Sequence, residues 1–346
     1  METGAKPSGT AVIITVYNKE AFLRDAIESA LSQNLGNYVL SVILCDDSST
    51  DSSRSICADY AARYSSVYDI TDGVHRGVVG NFIHCLEFAL SLNVQYISQI
   101  DSDDILADPD FLARQTSLLD SHPEAQAACS KFFLIGEKET LEDTRKMFPG
   151  SILPGADGVA YYRDLKITPE VLLTKNNTLV AGGVTYRAEH LREYLDTFAS
   201  KEDATQDLPL WLFLSQKGSF WGTDIQSLAY RNLAESVSRS EDIETQLKFQ
   251  QASLSTRLRF IDYLKNQMVS KKEEREKASS ELLQPRVLDK LAVKANRLYQ
   301  KKMLRHYAKL SPKNYPKQLR QAIKANPSLL FSRDLWRSLG VYLKNR

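Results

Sequence analysis

Three acids lie within four residues, directly after an apolar segment that is typical of a β-strand. The segment is YISQI, residues 96–100, and Asp101, Asp103 and Asp104 follow it. Carboxylates this close repel one another, and a buried carboxylate without a partner is costly. A divalent cation held by one or two carboxylates and by the phosphate oxygens of a nucleotide removes that repulsion. The cluster therefore predicts a Mg²⁺ or Mn²⁺ site that a phosphate-bearing substrate completes.

Three other interpretations explain these acids less well. An EF-hand loop that began at Asp101 would need Gly and Glu where the chain has Leu106 and Leu112. Two acids could act in general acid–base catalysis, but acids so close on one loop more naturally share a cation. A solvated turn that caps the next helix accounts for Asp108 and Asp110, because a proline follows Asp108. It does not account for the acids at the strand end.

Polar residues also follow two earlier predicted strands. Tyr17 comes after the apolar segment AVIITV, and Asp47 comes after VLSVILCD. Each predicted strand is followed by a segment with apolar residues at helical spacing. Strands that alternate with helices predict a parallel, doubly wound sheet, in which ligands bind beyond the carboxyl ends of the strands. We therefore expect Tyr17, Asp47 and the acid cluster to line one crevice.

Composition limits the class of protein. The chain has 346 residues, of which 43% are hydrophobic and 25% charged, as in ordinary globular proteins. Its four cysteines are widely spaced, which argues against a zinc site or a disulfide framework and favours a reducing cytoplasm. No apolar segment is long enough to cross a bilayer, and the first ten residues lack the apolar segment of a secretory signal. We expect a cytoplasmic protein.

With these residues in place, the sequence resembles a family 2 glycosyltransferase of the GT-A fold. Five segments match motifs of that family in their order along the chain: VIITVYNKEAFLRDAIESALSQ, VILCDDSSTDSS, YISQIDSDDIL, QDLPLWLFLSQKG and AYRNLAESVSRS. The resemblance implies a Rossmann-like, mainly parallel central sheet with flanking helices. It places the catalytic domain at residues 1–240, and residues 241–346 are predicted to form an α-helical C-terminal extension.

The resemblance also implies an activity. The family predicts an inverting transfer of a sugar from a UDP-sugar to a hydroxyl of a glycan or of a lipid-linked glycan, with Mg²⁺ or Mn²⁺. One alternative is a dTDP-sugar transferase of the rhamnosyl type, and another is a non-catalytic nucleotide-sugar-binding subunit. No glycine-rich phosphate loop is present, so metal is expected to neutralise the diphosphate.

The resemblance assigns roles to individual residues. Thr15 and Tyr17 match residues that contact the nucleobase, and Asp47 matches the acid that accepts the base N3–H, which favours uracil or thymine. Asp101, Asp103 and Asp104 match the family's DxD pair and its neighbour, which bind the ribose and the metal. Asp207 matches the catalytic base, and the start of a helix is its simpler interpretation.

Other residues are candidates with ordinary structural alternatives. Asn81 is expected near the donor or as a helix cap, and Arg231, Arg76 and Arg187 are candidates for holding the diphosphate. Trp221 is a candidate for sugar stacking, whereas Trp211 and Phe213 are expected in the core. The chain departs from the family's motifs at Gln206, where Glu is usual, and at Leu233, where many relatives have His.

Charge separates the two ends of the chain. Residues 1–264 contain 23 Lys and Arg against 37 Asp and Glu, whereas residues 265–346 contain 21 against 6. The cations and apolar residues of 285–346 recur at helical spacing, which is typical of a helix on an anionic membrane or of one packed on the protein or in a homo-oligomer. Nucleic acid is not an expected partner, because no binding module is recognisable and the first part is acidic. Peripheral association with the inner face of the cytoplasmic membrane is therefore one hypothesis.

Overall fold

The structure is a computed structural model of the chain. It describes residues 9–36, 38–147, 167–174, 179–233, 242–270, 284–325, 329 and 333–345. The described residues divide into two compact units. The first takes those within Met1–Pro169, Asn177–Lys201 and Thr205–Leu233, and the second takes those within Glu170–Asn176, Glu202–Ala204 and Ala234–Arg346. Residues 234–241, which include the last seven residues of the fifth motif, lie outside the described residues.

The first unit is built on one sheet. Its strands are β1 (Gly9–Val16), β2 (Val39–Asp46), β3 (Val67–Asp69), β4 (Tyr96–Asp101), β5 (Ile105–Leu106), β6 (Ala125–Ile135), β7 (Val184–Arg187) and β8 (Ser219–Arg231). They lie in the order β3-β2-β1-β4-β7-β6-β8-β5. The pairs β1–β2, β1–β4, β2–β3 and β6–β8 are parallel, whereas β4–β7, β6–β7 and β5–β8 are antiparallel. The predicted mainly parallel sheet is confirmed.

Helices flank this sheet. They are α1 (Leu23–Leu31), α2 (Ser53–Arg63), α3 (Gly77–Ser91), α4 (Phe111–Ser121), α5 (Leu141–Met147), α7 (Leu191–Thr197) and α8 (Asp207–Ser215), and α6 (Pro169–Thr174) lies between α5 and α7 in the chain. The side chains of β1 from Ala11 to Ile14 are all buried, as expected of a parallel strand that is covered on both faces. Trp211 and Phe213 of α8 are fully buried, which confirms their prediction as core, and the Trp211 indole donates to the Tyr186 hydroxyl at 2.6 Å.

The second unit is mostly helical. Its longer helices are α9 (Ile243–Ser270), α10 (Pro285–Leu310), α11 (Tyr315–Ala325) and α12 (Arg333–Asn345). Helices α9 and α10 pack together, and Lys265 Nζ lies 3.0 Å from Asp289 Oδ1 across this pair. A second apolar cluster contains Leu304, Ala308, Tyr315 and Leu335. The predicted C-terminal helical extension is confirmed. Within the residues that the structure describes, no helix has the length and apolar character needed to cross a membrane.

Candidate active site

The carboxyl ends of β1, β2 and β4 lie side by side. Thr15 on β1 is opposite Cys45 on β2 and opposite Asp101 on β4. The backbone N–H of Asp47 donates to the Val16 carbonyl at 2.8 Å and so continues this register beyond β2. The parallel pairing thus brings together the chain positions that directly follow three strands. The predicted crevice gathers its residues from these three places.

Tyr17 and Asp47 lie at one end of this crevice. The Tyr17 side chain is 49% exposed, and its ring centroid lies 5.6 Å from that of His75. The Asp47 carboxylate is buried and accepts the backbone N–H groups of Arg76 at 2.5 Å and Gly77 at 2.9 Å. Gly77 has a φ of +71°, a left-handed conformation that glycine adopts without strain. Asp47 therefore fixes the turn that precedes α3. His75 lies in this turn, so its ring is placed beside Tyr17.

His75 is a site residue that the sequence analysis did not find. Its Nδ1 lies 2.9 Å from the Asp47 carbonyl oxygen and 3.1 Å from Asp47 Oδ2. The surrounding GVHRGVVG segment contains no spacing that distinguishes this histidine from one on an ordinary surface. The only usable signal is its position just before a helix in a doubly wound fold. Together, the partly exposed rings of His75 and Tyr17 form an aromatic surface beside the buried carboxylate of Asp47.

Asn81 lies below the crevice inside α3. Its Nδ2 donates to the Cys45 carbonyl at 2.8 Å, and its Oδ1 is buried without a hydrogen-bond partner. The residue before the first turn of α3 is Arg76, so the alternative of a helix cap at Asn81 is wrong. Asn81 instead attaches α3 to the end of β2.

The acid cluster occupies the end of β4 and the turn that follows it. Removal from water and the nearby charges of Asp103 and Asp207 raise the pKa of Asp101 to about 7, against the opposing effect of Lys19. The Asp103 Oδ2 atom lies 3.0 Å from Lys19 Nζ. Burial, followed by the charges of Asp101 and Asp103, also raises the pKa of Asp104 well above its usual value. The predicted repulsion among these carboxyls is thus present in the fold.

Lys19 is a second site residue that the sequence analysis missed. It follows β1, and its backbone N–H donates to Ser53 Oγ at 2.9 Å. The neighbouring Asn18 receives the Thr50 N–H on its Oδ1 and donates its own N–H to Ser49 Oγ, both at 2.8 Å. These bonds join the loops after β1 and β2, and this junction holds Lys19 beside the acids. Such a contact between two loops leaves no local pattern in the sequence.

Asp104 and Arg231 hold the turn of residues 101–104, called the acid turn below, from its buried side. Asp104 is 1% exposed, its Oδ1 accepts the Arg231 backbone N–H at 2.8 Å, and its Oδ2 is buried without a partner. The Arg231 guanidinium donates at 2.8 to 3.0 Å to the carbonyls of four residues. These are Asp103, Gly136, Glu137 and Glu139. The same guanidinium lies 4.8 Å from the centroid of the Phe22 ring. Arg231 therefore braces the acid turn against the loop after β6.

Asp207 approaches the cluster from α8. It is the first residue of that helix, and its Oδ1 accepts the N–H of Leu208 at 2.6 Å. Its charge acts on Asp101, so the structure brings the predicted base and the acid cluster together. Gln206, which replaces the Glu of the family motif, is the residue just before α8. Leu233, where many relatives have His, is 7% exposed.

The donor set suits a hard cation, although no ready-made metal site is visible. Across the described ranges, no group of three or more His, Cys, Asp or Glu side chains is arranged to hold a metal ion. A Mg²⁺ or Mn²⁺ ion that is shared with a diphosphate needs only one or two protein carboxylates. Asp103, with 21% of its side chain exposed, is accessible to such an ion. Asp104 Oδ2 has no hydrogen-bond partner, and the pKa of Asp101 is raised. Both observations indicate that this position lacks positive charge.

Two candidates from the sequence lie elsewhere. Arg187 pairs with Tyr96 at the amino end of β4, and its guanidinium donates to the carbonyls of Leu119, His122 and Ala125. Trp221 lies near the same end of the sheet and stacks on His122, with 3.6 Å between the ring centroids. The diphosphate role of Arg187 is therefore wrong, whereas the sugar-stacking role of Trp221 stays a prediction. The sequence could not reveal which end of its strand each residue occupies.

Three other charged residues are engaged in local pairs. Arg76 forms a two-point contact with Asp72, with Nη1 at 2.7 Å from Oδ1. Asp108 is buried and accepts from Arg114 Nε at 3.2 Å and from Ser227 Oγ at 3.1 Å. Asp110 directly precedes α4. The separation of Asp108 and Asp110 from the acid cluster, as predicted, is confirmed.

Comparison with known proteins establishes the class of this fold and the family of this chain. The structure is similar to residues 1–349 of TarS from S. aureus in complex with UDP-GlcNAc, with a TM-score of 0.53, 14% identity and coverage of 98% of this chain and 92% of that one. It is also similar to the mannosyltransferase PcManGT from Pyrobaculum calidifontis in complex with GDP-Man and Mn²⁺, with a TM-score of 0.51, 12% identity and coverage of 99% and 88%. These likenesses show that the chain has the GT-A fold.

Sequence comparison gives the family. The sequence model described as Glycosyl transferase family 2 matches residues 11–195. EpsE of Bacillus subtilis is 31% identical over 235 residues, which are 67% of this chain and 74% of that protein. The minor teichoic acid biosynthesis protein GgaB of the same organism is 33% identical over 101 residues, 29% of this chain and 11% of that protein. The chain belongs to glycosyltransferase family 2, as its motifs predicted.

Proposed function

We propose that this protein is a metal-dependent, inverting glycosyltransferase that takes its sugar from a UDP-sugar. The observation that carries the proposal is the convergence of Tyr17, Asp47 and Asp101 at the carboxyl ends of three neighbouring strands. An aromatic ring and a buried carboxylate match a nucleobase, and the cluster of acids beside them matches its ribose and a metal-bound diphosphate. The similar TarS structure holds UDP-GlcNAc, which supports a uridine nucleotide here.

The donor end of the site has three roles. Tyr17 packs on the face of the base, with Thr15 beside it, and Asp47 accepts the N3–H of uracil. His75 also contacts the base, because its ring lies beside Tyr17 and its Nδ1 is held by Asp47. Asn81 supports this end from below through the Cys45 carbonyl. The same arrangement accepts thymine, so a dTDP-sugar is the donor to test against UDP.

Asp103 is the residue that would hold the metal, with Asp101 beside it. A Mg²⁺ or Mn²⁺ ion bound there would supply positive charge to the departing diphosphate. Asp104 and Arg231 act differently, because both are buried and bonded to each other. They keep the acid turn in place, so their contribution to donor binding is indirect. Leu233 is buried, and its side chain cannot bind a metal. The metal contact that His makes at this position in many relatives must therefore come from Asp101, Asp103 and the diphosphate.

Asp207 acts as the catalytic base. Its carboxylate accepts the proton of the acceptor hydroxyl while the hydroxyl oxygen attacks the anomeric carbon, and the bond from that carbon to the diphosphate oxygen breaks. One displacement inverts the configuration of the anomeric carbon. The acceptor is a hydroxyl of a glycan or of a lipid-linked glycan on the cytoplasmic side.

The decisive experiment is a screen of UDP-, dTDP- and GDP-sugars for hydrolysis and for thermal stabilisation, with Mn²⁺, with Mg²⁺ and with EDTA. We expect UDP-sugars to stabilise the protein and to be hydrolysed only when a divalent cation is present. Stabilisation by dTDP-sugars alone would identify a dTDP-sugar transferase of the same fold. Binding of a donor without turnover, even with a broad set of acceptors, would identify a non-catalytic nucleotide-sugar-binding subunit. The configuration of any product, read by NMR, decides between inversion and retention.

A further inference from the structure

Helix α12 presents an apolar face that no other described part of the chain covers. Trp336 is 63% exposed and Leu343 is 62% exposed. These two residues are seven apart and therefore lie on one side of the helix, two turns from each other. Gly340 lies between them, and a methyl group added there would meet no atom within 4 Å. The face is thus a continuous apolar stripe, Trp336–Gly340–Leu343, which is open to the surroundings.

The opposite face of α12 is occupied. Leu335 and Ser338 are buried, and Tyr342 stacks on Tyr315 with 4.7 Å between the ring centroids. Ser338 Oγ lies 2.9 Å from the Tyr315 hydroxyl. These contacts fix the rotation of α12 about its axis, so Trp336 and Leu343 cannot turn inward without breaking them. The exposed stripe is a property of the folded unit and does not come from a loose helix end.

The charged side chains that the structure describes beside the stripe have one sign. Arg337 and Lys344 are exposed and each directly follows a residue of the stripe, so they form a parallel cationic row. Helix α11 exposes three more cations and no acid: Lys317, Arg320 and Lys324. Residues 285–346 as a whole contain 16 Lys and Arg against two acids. An apolar stripe with tryptophan beside cations complements the surface of an anionic bilayer.

Helix α10, where the sequence pattern also suggested a membrane-binding face, is less suited to this role. Five of its apolar residues, Leu288, Leu291, Ala295, Leu304 and Ala308, are buried inside the unit. An amphipathic helix enters a bilayer through its apolar face. Because that face of α10 is already packed, only its cationic face remains for long-range attraction. Within the predicted segment 285–346, the structure therefore favours α12 over α10 for this contact.

We infer that the stripe Trp336–Gly340–Leu343 and the row Arg337–Lys344 dock this glycosyltransferase on an anionic membrane surface. The stripe inserts at the level of the headgroups, and the row contacts lipid phosphates. The inference rests on the proposed function only for its purpose, which is to bring the enzyme to a lipid-linked acceptor. The docking itself depends on α12 and can be measured separately.

The test is cosedimentation of the full chain with vesicles of phosphatidylglycerol and phosphatidylcholine, and with vesicles of phosphatidylcholine alone. We expect binding only to the anionic vesicles. The double variant Trp336→Ser/Leu343→Ser should bind about tenfold or more weakly, since it removes the inserting side chains. The variant Arg337→Gln/Lys344→Gln should bind about tenfold or more weakly, and its binding should depend less on salt. The matched control is Val293→Ser, which removes an exposed aliphatic side chain of α10 and should bind as the wild type does.

Several outcomes would overturn the inference. One is wild-type protein that ignores anionic vesicles, and another is a Val293→Ser variant that loses as much binding as the α12 variants. A third is a wild-type dimer in analytical ultracentrifugation that the Trp336 and Leu343 substitutions convert to monomer without any change in vesicle binding. Hydrolysis of UDP-sugars in the same preparations should be equal in all variants. Hydrolysis without vesicle binding removes only this inference, whereas vesicle binding without nucleotide-sugar binding or hydrolysis removes only the proposed function.

Discussion

At one end of the strands in the central sheet the charged side chains have partners within the protein, and at the other end acids lie close together. At the amino end of β4, the Asp120 carboxylate accepts from the hydroxyls of Tyr96 at 2.5 Å and Tyr38 at 2.7 Å, and Arg187 donates to backbone carbonyls. At the carboxyl end of the same strand, Asp101 and Asp104 lie close together with raised pKa values. The first arrangement is complete within the protein. The second leaves a need for positive charge that an external ligand can meet.

This difference indicates which end of such a sheet is the better candidate for the functional site. Both ends contain acids, arginines and aromatic rings, so residue type does not distinguish them. What distinguishes them is whether the polar atoms already have partners inside the fold. The predictions below test that distinction, because substitutions at the amino end should change stability and substitutions at the carboxyl end should change activity.

The largest effect is expected for Asp103→Asn. Loss of the accessible carboxylate should lower UDP-sugar turnover by about a thousandfold or more, since metal and leaving-group charge would no longer be balanced. The melting temperature without ligand should stay near that of the wild type, and the extra stabilisation by Mn²⁺ with UDP should disappear. The matched control is Asp110→Asn, an acid of the same sequence segment that belongs to the start of α4. Equal activity losses in the two variants would contradict the assignment.

Asp207→Asn should lower turnover by about a hundredfold to ten-thousandfold, the range that a positioned general base contributes. The asparagine keeps an oxygen for the Leu208 N–H, so the start of α8 should remain intact. Binding of UDP, measured by calorimetry, should be close to that of the wild type. Near-normal turnover in this variant would remove Asp207 as the base.

Arg187→Met tests the amino end. It removes the guanidinium that three backbone carbonyls accept from, and we expect the free energy of unfolding to fall by about 2–4 kcal/mol. Turnover per folded molecule should not change, because the residue lies at the far end of β4 from the acids. Chemical denaturation and the specific activity of the same sample measure both quantities. A selective loss of activity at unchanged stability would reverse the comparison between the two ends.

Arg231→Met should combine both effects, since this guanidinium is structural but lies at the carboxyl end. We expect a loss of about 2–4 kcal/mol in unfolding free energy from its broken carbonyl bonds. We also expect weaker Mn²⁺-dependent binding of UDP, because the turn that bears Asp103 would no longer be braced. If Arg231 instead contacted the diphosphate directly, its removal would weaken UDP binding equally with and without metal. Titrations of UDP in Mn²⁺ and in EDTA separate the two roles.

The smallest effect is expected for Tyr17→Ala. Half of this side chain is exposed, so its removal should leave stability within about 0.5 kcal/mol of the wild type. Loss of packing on the base should raise the KM for the UDP-sugar by about tenfold with little change in kcat, the pattern of lost uniform binding. Tyr64→Ala, which removes another partly exposed tyrosine outside the crevice, is the control. Unchanged KM in Tyr17→Ala would place the base elsewhere.

The parallel strands β1, β2 and β4, and the site residues that directly follow them, could be predicted from the sequence alone. Apolar strands that alternate with amphipathic helices allow few folds, and in a parallel sheet every residue just after a strand faces the same crevice. That rule was sufficient for Tyr17, Asp47 and the acid cluster, and the order of the motifs was sufficient for the family. These inferences use only local periodicity and chain order, which the sequence contains.

Only the tertiary structure decided which polar groups are already partnered. Lys19 reaches Asp103 because bonds between two loops place it there, and His75 meets Tyr17 because Asp47 fixes a turn thirty residues further along the chain. Arg187 and Trp221 lie at the opposite end of the strands because their strands pair in registers that no local pattern specifies. Likewise, the rotation of α12 follows from its contact with Tyr315. The free energy of each of these contacts depends on groups that are distant in sequence, so it is defined only once the chain has folded.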